Sequence, residues 1–100
     1  MSLSTDRAAL RLKDEDNVAV CLRAVALGTE LDFGAARVRV SADIPTGHKI
    51  ALRKIGTGEF ILKYGQTIGK ASLPIAAGAH VHVHNVESIR GRGDLAEDAT

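Results

Sequence analysis

Apolar and polar residues alternate with a period of two over short stretches of this chain, and glycines separate the stretches. One unit recurs four times: an apolar residue, two spacers, a glycine, two spacers and another apolar residue. It appears as Val25-x-x-Gly28-x-x-Leu31, Ile44-x-x-Gly47-x-x-Ile50, Ile55-x-x-Gly58-x-x-Ile61 and Ile75-x-x-Gly78-x-x-Val81. Such a unit reads as a strand end, a tight turn whose glycine takes positive φ, and a new strand. Pro45, one residue after Ile44, suits the second position of its turn. The pattern predicts strands over residues 17–25, 36–41, 49–53, 59–64 and 80–86, with a further turn at 66–68 between Gly65 and Gly69. No apolar stripe of period 3.6 is sustained, so helix is limited to a short piece around residues 8–12. The expectation is an all-β fold of short bent strands, and the paired units suggest a pseudo-two-fold repeat.

The last predicted strand contains His80-Val81-His82-Val83-His84-Asn85, three of the four histidines of the chain. On a strand His80, His82 and His84 share one face, about 6.6 Å apart in succession, while Val81 and Val83 point into the core. A His-x-His pair such as His80 and His82 can chelate one metal ion. The outer two histidines, about 13 Å apart, do not converge on the same ion. A solvated polar sheet face is the plain alternative.

Composition narrows the function. The chain has 100 residues, enough for one domain, with 45% hydrophobic and 25% charged positions. Ten glycines accompany only three aromatics, Phe33, Phe60 and Tyr64, so the core must be aliphatic. A net charge of +1 and the lack of a basic stripe argue against nucleic acid. No stretch approaches the roughly 20 apolar residues of a membrane span, and no secretion signal is evident. Cys21, alone in an apolar run, reads as a buried free thiol suited to a reducing compartment, and the expected location is cytoplasmic. Residues 1–14 and 88–100 are expected to be flexible, flanking a domain over 15–87.

Three separated motifs carry a resemblance. They are Asp43-Ile44-Pro45-Thr46-Gly47-His48-Lys49-Ile50-Ala51-Leu52-Arg53, Lys63-Tyr64-Gly65-Gln66-Thr67-Ile68-Gly69-Lys70-Ala71 and Gly78-Ala79-His80-Val81-His82-Val83-His84-Asn85. In this order they resemble the SAF-type (β-clip) domain of the altronate and galactarate dehydratase family, over roughly residues 15 to 87. The small subunit of sulfolactate sulfo-lyase is similar. The resemblance implies a small β-clip domain or subunit of a sugar-acid hydro-lyase, inactive alone, its active site completed by a large catalytic subunit or domain. Two alternatives stand beside it: the small subunit of a sulfolactate-type sulfo-lyase, or a non-catalytic carbohydrate-binding or assembly module. A homodimer that covers open strand edges is also expected.

Dehydration of a sugar acid removes the proton α to a carboxylate and expels the β-hydroxyl. Histidine can serve as base, acid or ligand, and lysine or arginine can hold the carboxylate. His48, His82 and His84 are the candidate catalytic groups, and Lys49, Arg53, Lys63 and Asn85 the candidate substrate-binding groups. His80 and His82 are the candidate ligands of a divalent metal, with iron, manganese and magnesium all open. If the two halves pack about a pseudo-two-fold, the Gly47-His48 turn approaches the histidine row.

Overall fold

A computed structural model of the chain describes residues 8–34 and 37–88. Nine strands follow in order: β1 (Ala9–Leu10), β2 (Val18–Cys21), β3 (Glu30–Asp32), β4 (Arg37–Arg39), β5 (Lys49–Ala51), β6 (Phe60–Lys63), β7 (Gln66–Ala71), β8 (His80–Val81) and β9 (Val86–Glu87). There is no helix among the described residues. The strands form three antiparallel sheets, ordered β1-β2-β5-β8, β3-β4 and β6-β7-β9. The small all-β architecture agrees with the sequence and with a β-clip.

All four glycine units form the same turn. The fourth residue of each donates its N–H to the carbonyl of the first: Thr29 to Ala26 (3.1 Å), His48 to Pro45 (3.1 Å), Glu59 to Gly56 (2.9 Å) and Ala79 to Ala76 (3.0 Å). The glycine stands third, with φ between 85° and 90°, a region that favours a residue without Cβ. Pro45 therefore occupies the first turn position rather than the expected second. That position requires a carbonyl acceptor and no N–H, which proline satisfies.

The turns clasp one another in pairs. Val25 bridges Ile44, and Ile55 bridges Ile75. Within the first pair Gly28 donates to Val40 and Gly47 to Cys21, while Val40 donates to Thr29 and Cys21 to His48. In the second pair Gly58 donates to Ala71 and Gly78 to Ala51, with Ala71 and Ala51 donating to Glu59 and Ala79. Each contact has its counterpart four residues before the partner's bridge residue, so the two halves repeat one hydrogen-bond pattern.

The sheet β1-β2-β5-β8 is covered on both faces. Alternation along β2 sends Ala19 and Cys21 to one apolar cluster and Val18 to the other. Along β5, Ile50 joins the first cluster and Ala51 the second, which also takes Val81 of β8. Ile50 and Val81 are fully buried.

Several expectations need correction. Residues 8–12 hold strand β1 paired with β2, not a short helix. The 59–64 segment is a hairpin arm, but its turn lies at Tyr64 and Gly65, where φ is 56° and 79°, and not at 66–68. Two successive positive φ angles suit a two-residue hairpin connection, and Lys63 indeed pairs with Gln66. The buried Asp16 carboxylate fixes this turn by accepting the N–H groups of Tyr64 (2.9 Å) and Gly65 (2.7 Å). The strand expected over 80–86 ends at Val81, and residues 82–85 turn before β9. Val83, expected in the core, is 80% exposed. Of the flexible ends expected at 1–14 and 88–100, residues 1–7 and 89–100 lie outside the described residues.

Candidate functional site

His48 follows Gly47, and its backbone is fully engaged: its N–H meets Pro45 and its carbonyl meets Cys21 (2.8 Å). Its side chain is left to project from the start of β5. In the β5–β8 ladder Lys49 faces Val81 and Ile50 faces His80. Extending that register places His48 level with His82. The three imidazoles accordingly converge. His48 Nδ1 lies 2.8 Å from His80 Nε2, a hydrogen bond in which one ring donates to the other. The His48 and His82 rings stack with centroids 3.6 Å apart and 11° between planes. One ring nitrogen from each of His48, His80 and His82 lies within 4.8 Å of the others. His82 Nδ1 is buried and has no hydrogen-bond partner. His84 is exposed and stands aside, its ring 5.0 Å from His80 and tilted by 41°.

Burial holds His80 below the ordinary imidazole range, and the positive charges of His84, His48, His82 and Lys49 add to the effect. His82 is lowered in the same way, by desolvation and then by His48, Lys49 and His84. The neighbours that shift these two rings are all cationic groups. His80 and His82 therefore favour the neutral imidazole, the state that ligates a metal or accepts a proton.

Beside the cluster, a cavity of about 260 Å³ is lined by Lys49, Ile68, His82, Val83, Val86 and Ser88. Burial, followed by the charge of Lys63, lowers the Lys49 amine from its usual value. Lys63 ends β6 with its Nζ 5.3 Å from the Tyr64 ring centroid. Arg53 is engaged elsewhere, donating to the Lys54 carbonyl (3.0 Å) and reaching Glu59 Oε2 at 3.4 Å. Asn85 is buried, and both ends of its amide meet backbone: Oδ1 accepts from His82 N–H (3.0 Å) and Nδ2 donates to the His80 carbonyl (2.9 Å).

The sequence brought His48, His80 and His82 forward as candidates, and the structure places them together. It also brings Lys49 to the same side through His82. Ile68, Val83, Val86 and Ser88 were not anticipated as cavity lining, because that requires knowing that the histidine strand stops at Val81. The one available signal was Asn85, a residue that favours turns, at the end of the alternating run.

Comparison with known proteins identifies the family. Residues 7–89 match the family model described as the altronate/galactarate dehydratase SAF domain. Altronate dehydratase of Bacillus subtilis (strain 168) is 39% identical over 82 residues, which are 82% of this chain and 16% of that protein. Altronate dehydratase of Escherichia coli (strain K12) is 47% identical over 73 residues, 73% of this chain and 15% of that protein. The (2R)-sulfolactate sulfo-lyase subunit alpha of Paracoccus pantotrophus is 43% identical over 54 residues, covering 54% of this chain and 81% of the subunit. The chain thus spans about a sixth of the length of the altronate dehydratases it matches. With its histidines gathered on a β-clip scaffold, it belongs to the family of altronate/galactarate dehydratase SAF domains.

Proposed function

We propose that the chain acts as the small part of a sugar-acid hydro-lyase, working in a cytoplasmic setting with a large catalytic subunit or domain. The observation that carries this reading is the convergence of His48 with His80 and His82, which lie 32 or more positions further along the chain. In the elimination, a base takes the proton α to the carboxylate, the electron pair forms the new C=C bond, and the β-hydroxyl leaves as water after protonation. His82, stacked on His48 and bordering the cavity, is placed to accept or return a proton at a ring nitrogen. His84, exposed at the rim, is the second proton carrier. Lys49 and Lys63 attract the substrate carboxylate, and neither forms an ion pair with an acid among the described residues.

A divalent metal fits the donor set, since one ring nitrogen from each of the three histidines lies within 4.8 Å of the others and His82 Nδ1 is buried without a partner. His48, His80 and His82 would hold it, in which case the proton-carrying role would pass from His82 to His84, and imidazole donors favour iron over magnesium. Bound there, it would supply Lewis acidity toward the substrate oxygens.

The test is an assay of altronate and galactarate dehydration by the large part, with and without this chain. Activity is expected only in the mixture, and His82→Ala is expected to abolish it. Full activity of the large part alone would overturn the proposal. The same assay with sulfolactate decides the sulfo-lyase alternative, which the 81% coverage of the Paracoccus subunit favours as a second reading. A homodimer is proposed as well, because β1 and β8 are the outer strands of their sheet; light scattering that shows a monomer at high concentration removes it.

A further inference from the structure

We infer that Asn85 is a positioning residue, which fixes the backbone of His80 and His82 so that their imidazoles converge on His48. The inference rests on reading the histidine cluster as the functional site. Asn85 grips His82 twice: its Oδ1 accepts the His82 N–H at 3.0 Å, and its own N–H donates to the His82 carbonyl at 3.1 Å. It grips His80 once, through Nδ2 to the carbonyl at 2.9 Å. The Asn85 carbonyl accepts from Ser72 N–H (2.9 Å), and Val86 pairs with Ala71. The turn is therefore anchored to the end of β7, while His80 belongs to β8. One buried residue, through its side chain on one side and its backbone carbonyl on the other, joins the two sheets at the point where the histidines emerge.

No other residue type of this size does the same work. The His82 N–H needs an acceptor and the His80 carbonyl needs a donor, and a carboxamide of this length provides both. Aspartate keeps the first contact and sets an oxygen against the His80 carbonyl. Alanine loses both and leaves two buried backbone groups without partners. The ring nitrogens of His48 and His80 are only 2.8 Å apart, so a small shift of the His80 backbone is enough to break their contact.

Asn17 provides an internal control. It is also buried, and its amide also bridges two backbone groups, accepting from Leu62 N–H (2.7 Å) and donating to the Phe60 carbonyl (2.9 Å). It secures β6, not the histidine turn. The experiment uses the full 100-residue chain as wild type and as Asn85→Ala, Asn85→Asp and Asn17→Asp variants. Two quantities are measured: Co²⁺ affinity from the visible spectrum, and the ¹⁵N imidazole resonances of the metal-free chain, which report the hydrogen shared by His48 and His80.

Asn85→Ala is expected to weaken Co²⁺ binding by roughly 10- to 100-fold, the usual effect of removing a group that orients ligands. It should also abolish the shared-hydrogen signature. Asn85→Asp should lose that signature while the His82 resonances keep their positions, and it decides the matter if the alanine variant does not fold. Asn17→Asp should change neither reading even where its melting temperature falls. Wild-type affinity and unchanged imidazole resonances in the Asn85 variants would overturn the inference. Equal losses in Asn17→Asp would overturn it too, by showing general loosening. Absence of Co²⁺ binding by the wild type counts against the metal site alone, and the imidazole resonances then decide the role of Asn85.

Discussion

Gly78 differs from the other turn glycines in what surrounds it. All four have φ near 85° to 90°, but a Cβ at Gly28, Gly47 or Gly58 would project into open space. At Gly78 it would collide with the Arg39 carbonyl, and the Gly78 carbonyl also receives Ser41 N–H (2.9 Å) and Oγ–H (3.2 Å). Gly47→Ala should cost about 1–2 kcal/mol, the penalty for a left-handed residue. Gly78→Ala should cost clearly more, because the backbone of the first half must move as well; urea unfolding of the two variants checks the ranking. Cys21 offers a second prediction at this scale. Burial raises its thiol to about 11, so the folded chain at pH 8 should react with a thiol reagent only as fast as it opens. Rapid modification under native conditions would contradict that. The buried free cysteine was legible from its apolar alternating context, whereas the collision at Gly78 was not, since it involves a residue 39 positions away.

At the level of elements, the histidine segment shows where sequence reading stops. Alternation of period two cannot distinguish a six-residue strand from a two-residue strand followed by a tight turn, because Asn85 satisfies backbone groups that a ladder would otherwise satisfy. The glycine turns were readable because positive φ leaves a mark in residue type, and their recurrence suggested a two-fold repeat, whereas the clasping of turns in pairs appears only in the structure. The element also has a pH response. His80 and His82 have lowered folded values, so between those values and the ordinary 6.5 the unfolded chain binds more protons. Stability should therefore rise with pH, and be lost as pH falls below about 6.5. The charged and titratable neighbours concerned are His48, His84 and Lys49. With a chelator present, the melting temperature should fall from pH 7 to pH 5, and His80→Gln should flatten part of that fall.

For the molecule as a whole, one sheet separates two small apolar clusters, and its two inner strands, β2 and β5, each supply residues to both. Ile50→Ala on one face should cost about 2–5 kcal/mol, as for other buried aliphatic truncations. Chemical denaturation should show a single transition for this variant if the two clusters unfold as one unit. The all-β class followed from the glycine spacing and the missing helical period. The strand order β1-β2-β5-β8 did not, because pairing partners are set by packing between distant segments. The approach of His48 to the histidine row was reached only through the repeat. The repeat has a wider consequence. Thr29, His48, Glu59 and Ala79 occupy the same place after the turn glycine, each with its N–H and carbonyl both bonded, and none is buried. The Glu59 carboxylate still accepts the Gly56 N–H of its own turn, and Ala79 packs against the second apolar cluster. Thr29 and His48 are left as the two sockets, of which this chain fills one with an imidazole, and chemistry can be exchanged at such positions without rebuilding the fold.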